Sequence, residues 1–184
     1  MKKIPTLFVR DPDDRAHVLT GVTPGCEWVL AGEGRATRKW DGTCVMLSGT
    51  GVWWARREVK KGKAPPIGYV NEEFDPNTGK HVGWEPMENS SFAKFHAEAV
   101  ANSAVGQPGT YELLGPKING NPDGFEVHVL MPHGWARLSE RLDIEAAPRD
   151  YDGLREWLTS RPYEGIVWHH PDGRMAKLKA KDFR

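Results

Sequence analysis

Lys39 is the residue around which chemistry can be built. In Arg38-Lys39-Trp40-Asp41-Gly42 a lysine ends an apolar, β-rich run and is followed at once by an aromatic, an acid and a glycine. A lysine amine attacks phosphorus only when unprotonated, so as a nucleophile its pKa has to fall well below the free value of about 10.4. Neighbouring cations and desolvation both push it that way. The sequence offers Arg38 beside it, Arg56 and Arg57 on a following strand, and Lys177 and Lys179 near the end. Trp40 can exclude water from the opposite side of the strand, Asp41 can position the lysine or a bound sugar, and Gly42 lets backbone pass close to a ligand. Taken alone, Lys-x-Asp-Gly equally describes a turn after an exposed strand lysine.

Three later segments add matching chemistry. In Lys177-Leu178-Lys179 the two lysines alternate on a strand and project from one face, with Leu178 opposite. Two ammonium groups on one face repel unless an anion lies between them, and a triphosphate is such an anion. Glu112 lies mid-strand in Tyr111-Glu112-Leu113-Leu114-Gly115, and Glu164 opens the strand of Glu164-Gly165-Ile166-Val167. Either carboxylate suits ribose hydroxyls or the divalent ion that travels with a nucleotide. Each segment by itself also reads as ordinary surface or ion-pair chemistry.

The elements that must position these groups are mostly short β-branched and aromatic runs, which read as strands. They are Glu27–Ala31, Ala36–Trp40, Cys44–Ser48, Val52–Val59, Gly109–Leu114, Glu126–Met131, Gly165–His169 and Met175–Lys179. Gly/Asn/Asp/Pro clusters such as Asn119–Gly124 and Pro171–Gly173 separate them. Two helices are predicted. Ser90–Ser103 has a serine cap and Phe92, Phe95, Ala99 and Val100 on one face, and Tyr151–Ser160 gathers Leu154, Trp157 and Leu158 behind Asp150 or Asp152. The stretch Lys60–Pro86, with Lys60, Lys61 and Lys63 at its root, reads as an irregular excursion, either a solvated loop or one that touches a ligand. Strands outnumber helices without βαβ alternation, so the expected class is α+β with mainly antiparallel sheets.

Bulk properties narrow the field. The chain has 184 residues, enough for one domain with a real core, and 25 basic residues balance 25 acidic ones. Any nucleic-acid contact must therefore come from local patches. Cys26 and Cys44 do not form a disulfide or metal pattern and are expected to be buried free thiols. Adjacent His169 and His170 point to opposite strand faces, which argues against a shared metal. Ala31-Gly32-Glu33-Gly34 lacks a following helix pattern and is not a dinucleotide fingerprint. With no secretion-type leader and no apolar run near the ~18 residues of a membrane helix, the expectation is a cytoplasmic protein away from membranes.

The ordered set Lys-x-Asp-Gly, Glu-Leu-x-Gly, Glu-Gly-Ile-Val and Lys-x-Lys resembles the covalent nucleotidyltransferase superfamily of DNA ligases, RNA ligases and capping enzymes. More narrowly, Ala36–Thr43, Trp54–Lys60, Gly109–Pro122 and Glu164–Lys177 look like the small ATP-dependent RNA ligases related to the vertebrate 5′-to-3′ RNA ligase, a resemblance spanning nearly the whole chain. It implies a ligase-type nucleotidyltransferase fold with an ATP cleft between antiparallel sheets, and ATP with Mg²⁺ (or Mn²⁺) as cofactors. Lys39 would form lysyl-AMP. Arg56 or Arg57 would contact ribose or RNA phosphate, Glu112 would recognise the ribose, and Glu164 would support the metal, with Glu112 a second candidate ligand. Lys177 and Lys179 would hold the α-phosphate, while Arg38, Asp41 and Gly42 would complete the ATP site. The aromatic stacking on adenine would be Phe125, with His128 second. RNA ends bearing a 5′-phosphate and a 3′-hydroxyl would be the substrates, with Lys60, Lys61, Lys63, Lys117 and Arg137 touching the backbone. Cys44 stands where many DNA ligases carry an arginine, which favours RNA. The chain ends five residues past Lys179; the expectation is one nucleotidyltransferase domain over 1–184, without an OB-fold domain, acting as a monomer. DNA ligase, capping-type transfer and a non-catalytic nucleotide- or RNA-binding module are the competing readings.

Overall fold

The computed structural model describes residues 3–76, 78–134 and 138–183, with backbone only at 138–140. In chain order its regular elements open with β1 (Phe8–Arg10), β2 (Val18–Val22), α1 (Glu27–Leu30), β3 (Arg35–Lys39), β4 (Thr43–Leu47) and β5 (Trp53–Val59). There follow β6 (Val70–Asp75), β7 (Lys80–Pro86), α2 (Ala93–Asn102), β8 (Gly109–Leu114) and β9 (Val129–Pro132). The chain closes with α3 (Leu138–Glu145), α4 (Tyr151–Thr159), β10 (Gly165–His169) and β11 (Met175–Lys179). All pairings between these strands are antiparallel, so the molecule is α+β with mainly antiparallel sheets, as the sequence indicates.

The chain forms two compact units, one containing Asp41–His133 and the other Lys3–Trp40 with Gly134–Arg184. In the second unit β11, β10 and β3 make a three-stranded sheet in that order. Strand alternation divides its faces. Ala36, Ile166, Trp168, Ala176 and Leu178 occupy the buried face and join Leu154, Trp157 and Leu158 of α4 in one apolar core. α4 starts at Asp150, whose carboxylate accepts the Gly153 N–H at 2.8 Å and so satisfies an otherwise unpaired helix-end donor.

The first unit is built on a six-stranded sheet, β6-β7-β5-β4-β8-β9. One face carries Val45, Ala55, Tyr111, Leu113 and Leu130 into a core with Ala99 of α2. The other face carries the alternate residues, among them Cys44, Arg56 and Glu112.

Several expectations change. Glu27–Ala31 is not a strand: Glu27–Leu30 is a single helical turn that buries Trp28 and Val29. Lys60–Pro86 is not simply irregular, because β6 and β7 pair within it and extend the sheet. α2 begins at Ala93 without a side-chain cap; Ser90 instead accepts the Phe92 N–H at 3.3 Å, and Val100 faces solvent. The strand expected over Glu126–Met131 starts only at Val129.

Candidate active site

Lys39 and Lys179 lie in line across the three-stranded sheet, because Lys39 pairs with Gly165 on β10 and Gly165 pairs with Lys179 on β11. Thr37, Val167 and Lys177 form the next row on the same face, so all three lysines of the sequence motifs project together. Gly165 keeps the space between Lys39 and Lys179 clear of any side chain. A Cβ there would fall 2.1 Å from the Leu178 carbonyl oxygen, so no larger residue is accommodated without backbone movement. Glu164, just before it, reaches both ammonium groups. Its Oε2 accepts a short hydrogen bond from Lys39 Nζ, and its Oε1 lies 2.6 Å from Lys179 Nζ. The Glu164 side chain is only 8% exposed, against 21% and 22% for the two lysines. The anion between two lysines that charge repulsion demands is thus supplied by the protein, between Lys39 and Lys179 rather than between Lys177 and Lys179.

The backbone around these groups is pinned. Asp182, buried, accepts the Lys179 N–H at 2.9 Å and the Arg10 guanidinium at 2.8 Å. Thr37 donates to the Val167 carbonyl at 3.2 Å and lies 3.0 Å from His169 Nε2. Arg38, although next to the nucleophile candidate in sequence, is on the other face of β3. Its guanidinium lies over Trp40 at 3.9 Å and over Tyr163 at 4.6 Å, both cation–π contacts. His170 turns away from His169 to meet Glu33 at 2.9 Å and Asp172 at 2.8 Å.

In the first unit Cys44 pairs with Glu112 across β4 and β8, and the β4–β5 register, continued one step past Val45–Ala55, brings Arg56 into the same row. Arg57 therefore lies on the opposite face, where its Nε is 3.9 Å from the buried Glu85. Of the two arginines, Arg56 is the one on the Glu112 face. Glu112 is doubly held: its Oε1 accepts the Gly42 N–H at 3.1 Å, and its Oε2 lies 2.7 Å from His133 Nε2. His133 Nδ1 in turn lies 2.9 Å from the Thr110 hydroxyl. With Nε2 carrying the proton, the Thr110 hydroxyl donates to Nδ1 and the imidazole donates to the carboxylate. Gly42 is confined by its neighbours, since a Cβ would fall 2.3 Å from the Leu113 carbonyl oxygen.

The loop after β8 completes this arrangement. Asn119, in a left-handed backbone conformation (φ 46°), donates to the Gly42 carbonyl at 2.7 Å and to Asp41 at 3.3 Å. Asp123 accepts the Asp41 N–H at 3.1 Å. Phe125, half-buried on this loop, exchanges two hydrogen bonds with Asn121 through its backbone. His128 is buried, stacks on Phe95 with centroids 4.8 Å apart, and meets Glu98 at 2.7 Å. The sequence alone does not single out His133, Asn119 or Asp123 for the site. The Thr-x-Glu alternation of β8 is the only local signal that points towards His133.

Cys44, between Arg56 and Glu112, has its thiol pushed up to about 12, first by burial and then by the Glu112 carboxylate. Lys60, Lys61, Lys63 and Lys117 are exposed, whereas Arg137 lies outside the described residues. Among the described residues no group of three or more His, Cys, Asp or Glu side chains converges as a metal cage. Glu164 and Glu112 are instead single carboxylates. A lone carboxylate is the kind of donor Mg²⁺ takes one or two of, with water and substrate phosphates completing its shell. Among the described residues no helix is long and apolar enough to cross a membrane.

Known proteins resemble part of this sequence. The sequence model of the RNA ligase 1 family matches residues 96–183, a segment that contains Glu112, Glu164, Lys177 and Lys179. RNA ligase 1 of Danio rerio is 36% identical, the match covering 68% of this chain and 45% of the relative. RNA ligase 1 of Mus musculus is 26% identical and that of Rattus norvegicus 28% identical, with the same coverage. The chain thus spans less than half the length of these curated relatives. It is related to the vertebrate RNA ligase 1 family.

Proposed function

We propose that this chain is an ATP-dependent RNA ligase, a ligase-type nucleotidyltransferase that works through a lysyl-AMP intermediate on Lys39. The observation that carries this reading is the Lys39–Glu164–Lys179 bridge: the candidate nucleophile is held on a sheet face beside a second cation, by a carboxylate that accepts from Lys39 and pairs with Lys179. In the first step Lys39 gives up its ammonium proton, for which the Glu164 carboxylate is the adjacent acceptor, and Nζ attacks the α-phosphorus of ATP; the P–N bond forms and pyrophosphate leaves. The AMP then passes to an oxygen of an RNA 5′-phosphate, freeing Lys39 and leaving a 5′-to-5′ pyrophosphate. An RNA 3′-hydroxyl attacks that 5′-phosphorus, AMP departs, and the strand is joined. Each step is an in-line displacement, so positioning and charge neutralisation supply most of the catalysis.

Lys177 and Lys179 neutralise charge developing on the phosphoryl oxygens. Glu112, oriented by His133 and Gly42, recognises the ribose, and Arg56 rather than Arg57 contacts the nucleotide. Asp41 and Gly42 take supporting roles in ATP binding, whereas Arg38, on the other face of β3 against Trp40 and Tyr163, supports the strand that carries Lys39 rather than the nucleotide. Phe125 is the aromatic that stacks on adenine, since His128 is already committed to Phe95 and Glu98. A divalent ion, Mg²⁺ or Mn²⁺, would be held by Glu164, with Glu112 as the second candidate, and would supply charge neutralisation at the phosphates. The reading is tested by incubation with ATP and Mg²⁺ followed by intact mass measurement. An AMP adduct that disappears in Lys39→Ala is expected, and the absence of any adduct with ATP or GTP overturns the covalent mechanism. Comparing nicked-duplex RNA, nicked DNA and single-stranded RNA as substrates tests the polynucleotide class.

A further inference from the structure

Two turns come together at one end of the six-stranded sheet, away from the row that holds Glu112. The first follows β5, where Lys63 N–H donates to the Lys60 carbonyl at 3.0 Å. The second joins β6 to β7. Lys61 lays its aliphatic stem on Gly79: a Cβ built at Gly79 would fall 2.9 Å from Lys61 Cδ, and the glycine is already in a left-handed conformation (φ 66°). Between the turns lies a depression of about 460 Å³ whose walls include Lys60, Lys61, Lys63, Phe74 and His81. Among the described residues no carboxylate-bearing side chain lines it. In a chain whose 25 basic and 25 acidic residues balance, that is a local excess of positive charge. Lys80 does not add to it, because Glu58 pairs with Lys80 at 2.9 Å. Asp75 follows Phe74 on β6 and by strand alternation faces the other side.

The aromatic wall gives the charge a specific use. Phe74 is 50% exposed, although it leans on His81 with centroids 4.8 Å apart and a 38° interplanar angle. His81 is itself held, its Nδ1 lying 3.0 Å from Asn71 Oδ1. A supported aromatic ring with half its surface open, beside three lysines in the same wall, matches a base next to its backbone phosphates. An acidic peptide would engage the lysines and leave the Phe74 ring without a role.

We propose that this depression grips a single RNA strand, with a base stacked on Phe74 and backbone phosphates on Lys60, Lys61 and Lys63. The inference rests on the RNA ligase reading and adds a place where the substrate strand is held by residues that take no part in adenylylation. The test uses the whole chain, a fluorescein-labelled oligouridylate, and anisotropy over a salt series, with formation of the Lys39–AMP adduct as a parallel readout. Phe74→Ala and Phe74→Leu are each expected to weaken RNA binding about tenfold, the scale of one base–aromatic stack. Lys60→Ala/Lys61→Ala/Lys63→Ala is expected to weaken it further and to flatten the log–log salt slope by about two, near 0.7 for each phosphate left without its lysine. All three variants are expected to form the AMP adduct at the unaltered rate. Unchanged RNA affinity in the lysine variant, or weakening there with none in either Phe74 variant, overturns the proposal. So does displacement of the RNA by poly-glutamate as readily as by unlabelled RNA, which would make this an acidic-peptide surface. Failure of the unaltered chain to form an adduct counts against Lys39 as the nucleophile and is separate from the anisotropy result.

Discussion

Lys39 and Lys179 face each other across Gly165, and the carboxylate of Glu164 accepts a hydrogen bond from Lys39 while its other oxygen pairs with Lys179 at 2.6 Å. Two lysines from distant parts of the sequence are therefore joined through one side chain. Glu164 organises both cations before any other group is considered, and the glycine beside it keeps their approach open.

Glu164→Gln is the direct probe of this bridge. A glutamine keeps the shape but replaces one acceptor oxygen with an NH₂ group, so one ammonium is deprived of its partner. Removing a single positioned charge partner is expected to slow lysyl-AMP formation by about 10²–10³-fold. Both lysines keep about a fifth of their side-chain surface in water, so the decrease in stability is held to about 1 kcal/mol, or roughly 2–4 °C in Tm. Single-turnover mass measurement and thermal unfolding check the two numbers. A rate within about threefold of the unaltered chain would remove Glu164 from the mechanism.

His133 is expected to act through Glu112. Its removal in His133→Ala takes away a charge-assisted hydrogen bond, an interaction of about 1.5–3 kcal/mol. On the ribose-recognition reading this raises the KM for ATP in adenylylation about tenfold or more, while the rate at saturating ATP changes by less than about threefold. Steady-state titration with ATP separates the two quantities. An unchanged KM with a depressed saturating rate would mean that the Thr110–His133–Glu112 chain serves the chemical step instead.

Two histidines give opposite pH signatures. His170 is held above its usual value chiefly by its hydrogen bond to Glu33, with Asp172 adding to it. A raised folded-state value means that the stability it contributes is complete below the unfolded pKa of about 6.5 and is lost as pH rises through the folded value. His96 is pushed down by burial, so its contribution runs the other way and falls away with falling pH below about 6.5. The Tm difference between the unaltered chain and His170→Gln should therefore shrink from about pH 5.5 upward, with most of the change above about 6.5. A pH-independent difference would show that the Glu33 and Asp172 contacts are not linked to protonation.

Cys44 should be unreactive in the folded chain. With its thiol pushed up to about 12, the thiolate fraction near pH 8 is smaller than that of an ordinary cysteine by more than about a thousandfold. Cys26 is fully buried and its thiol is also raised, by burial first and then by Glu27. Alkylation with iodoacetamide at about pH 8 is expected to leave both residues unlabelled until denaturant is added. Rapid labelling of Cys44 in the folded protein would contradict the packing between Arg56 and Glu112.

Legibility in the sequence tracks how much each element depends on its own residues. β8, β10 and β11 are readable to the residue because their alternation is local, and α4 is readable because Asp150 and the Leu154/Trp157/Leu158 stripe lie at or within it. The four residues of α1 are too few to display a helical period, so Trp28 and Val29 read as strand. β6 is hidden because it is a polar edge strand, V-N-E-E-F-D, whose formation depends on pairing with β7 and whose charged residues suit an exposed edge. In the site, the lysines and glutamates belong to linear motifs, while His133 follows the end of β9 and meets Glu112 only through pairing with β8. The choice between Arg56 and Arg57 likewise needs a register, which adjacency in sequence cannot supply.

That register has a consequence for how the segment can vary. Arg56 and Arg57 differ by a single step along β5, and a step is a change of face. Deleting one residue in the turn at 48–52 while the strand keeps its ladder would carry Arg57 to the Cys44 row and drive Arg56 towards the α2 core, and inserting one would bring Ala55 to that row and turn Arg56 to the opposite face. Relatives that retain this chemistry should therefore tolerate exchanges of residue type in the turn but not changes in its length, which is open to checking by comparing indel positions among them.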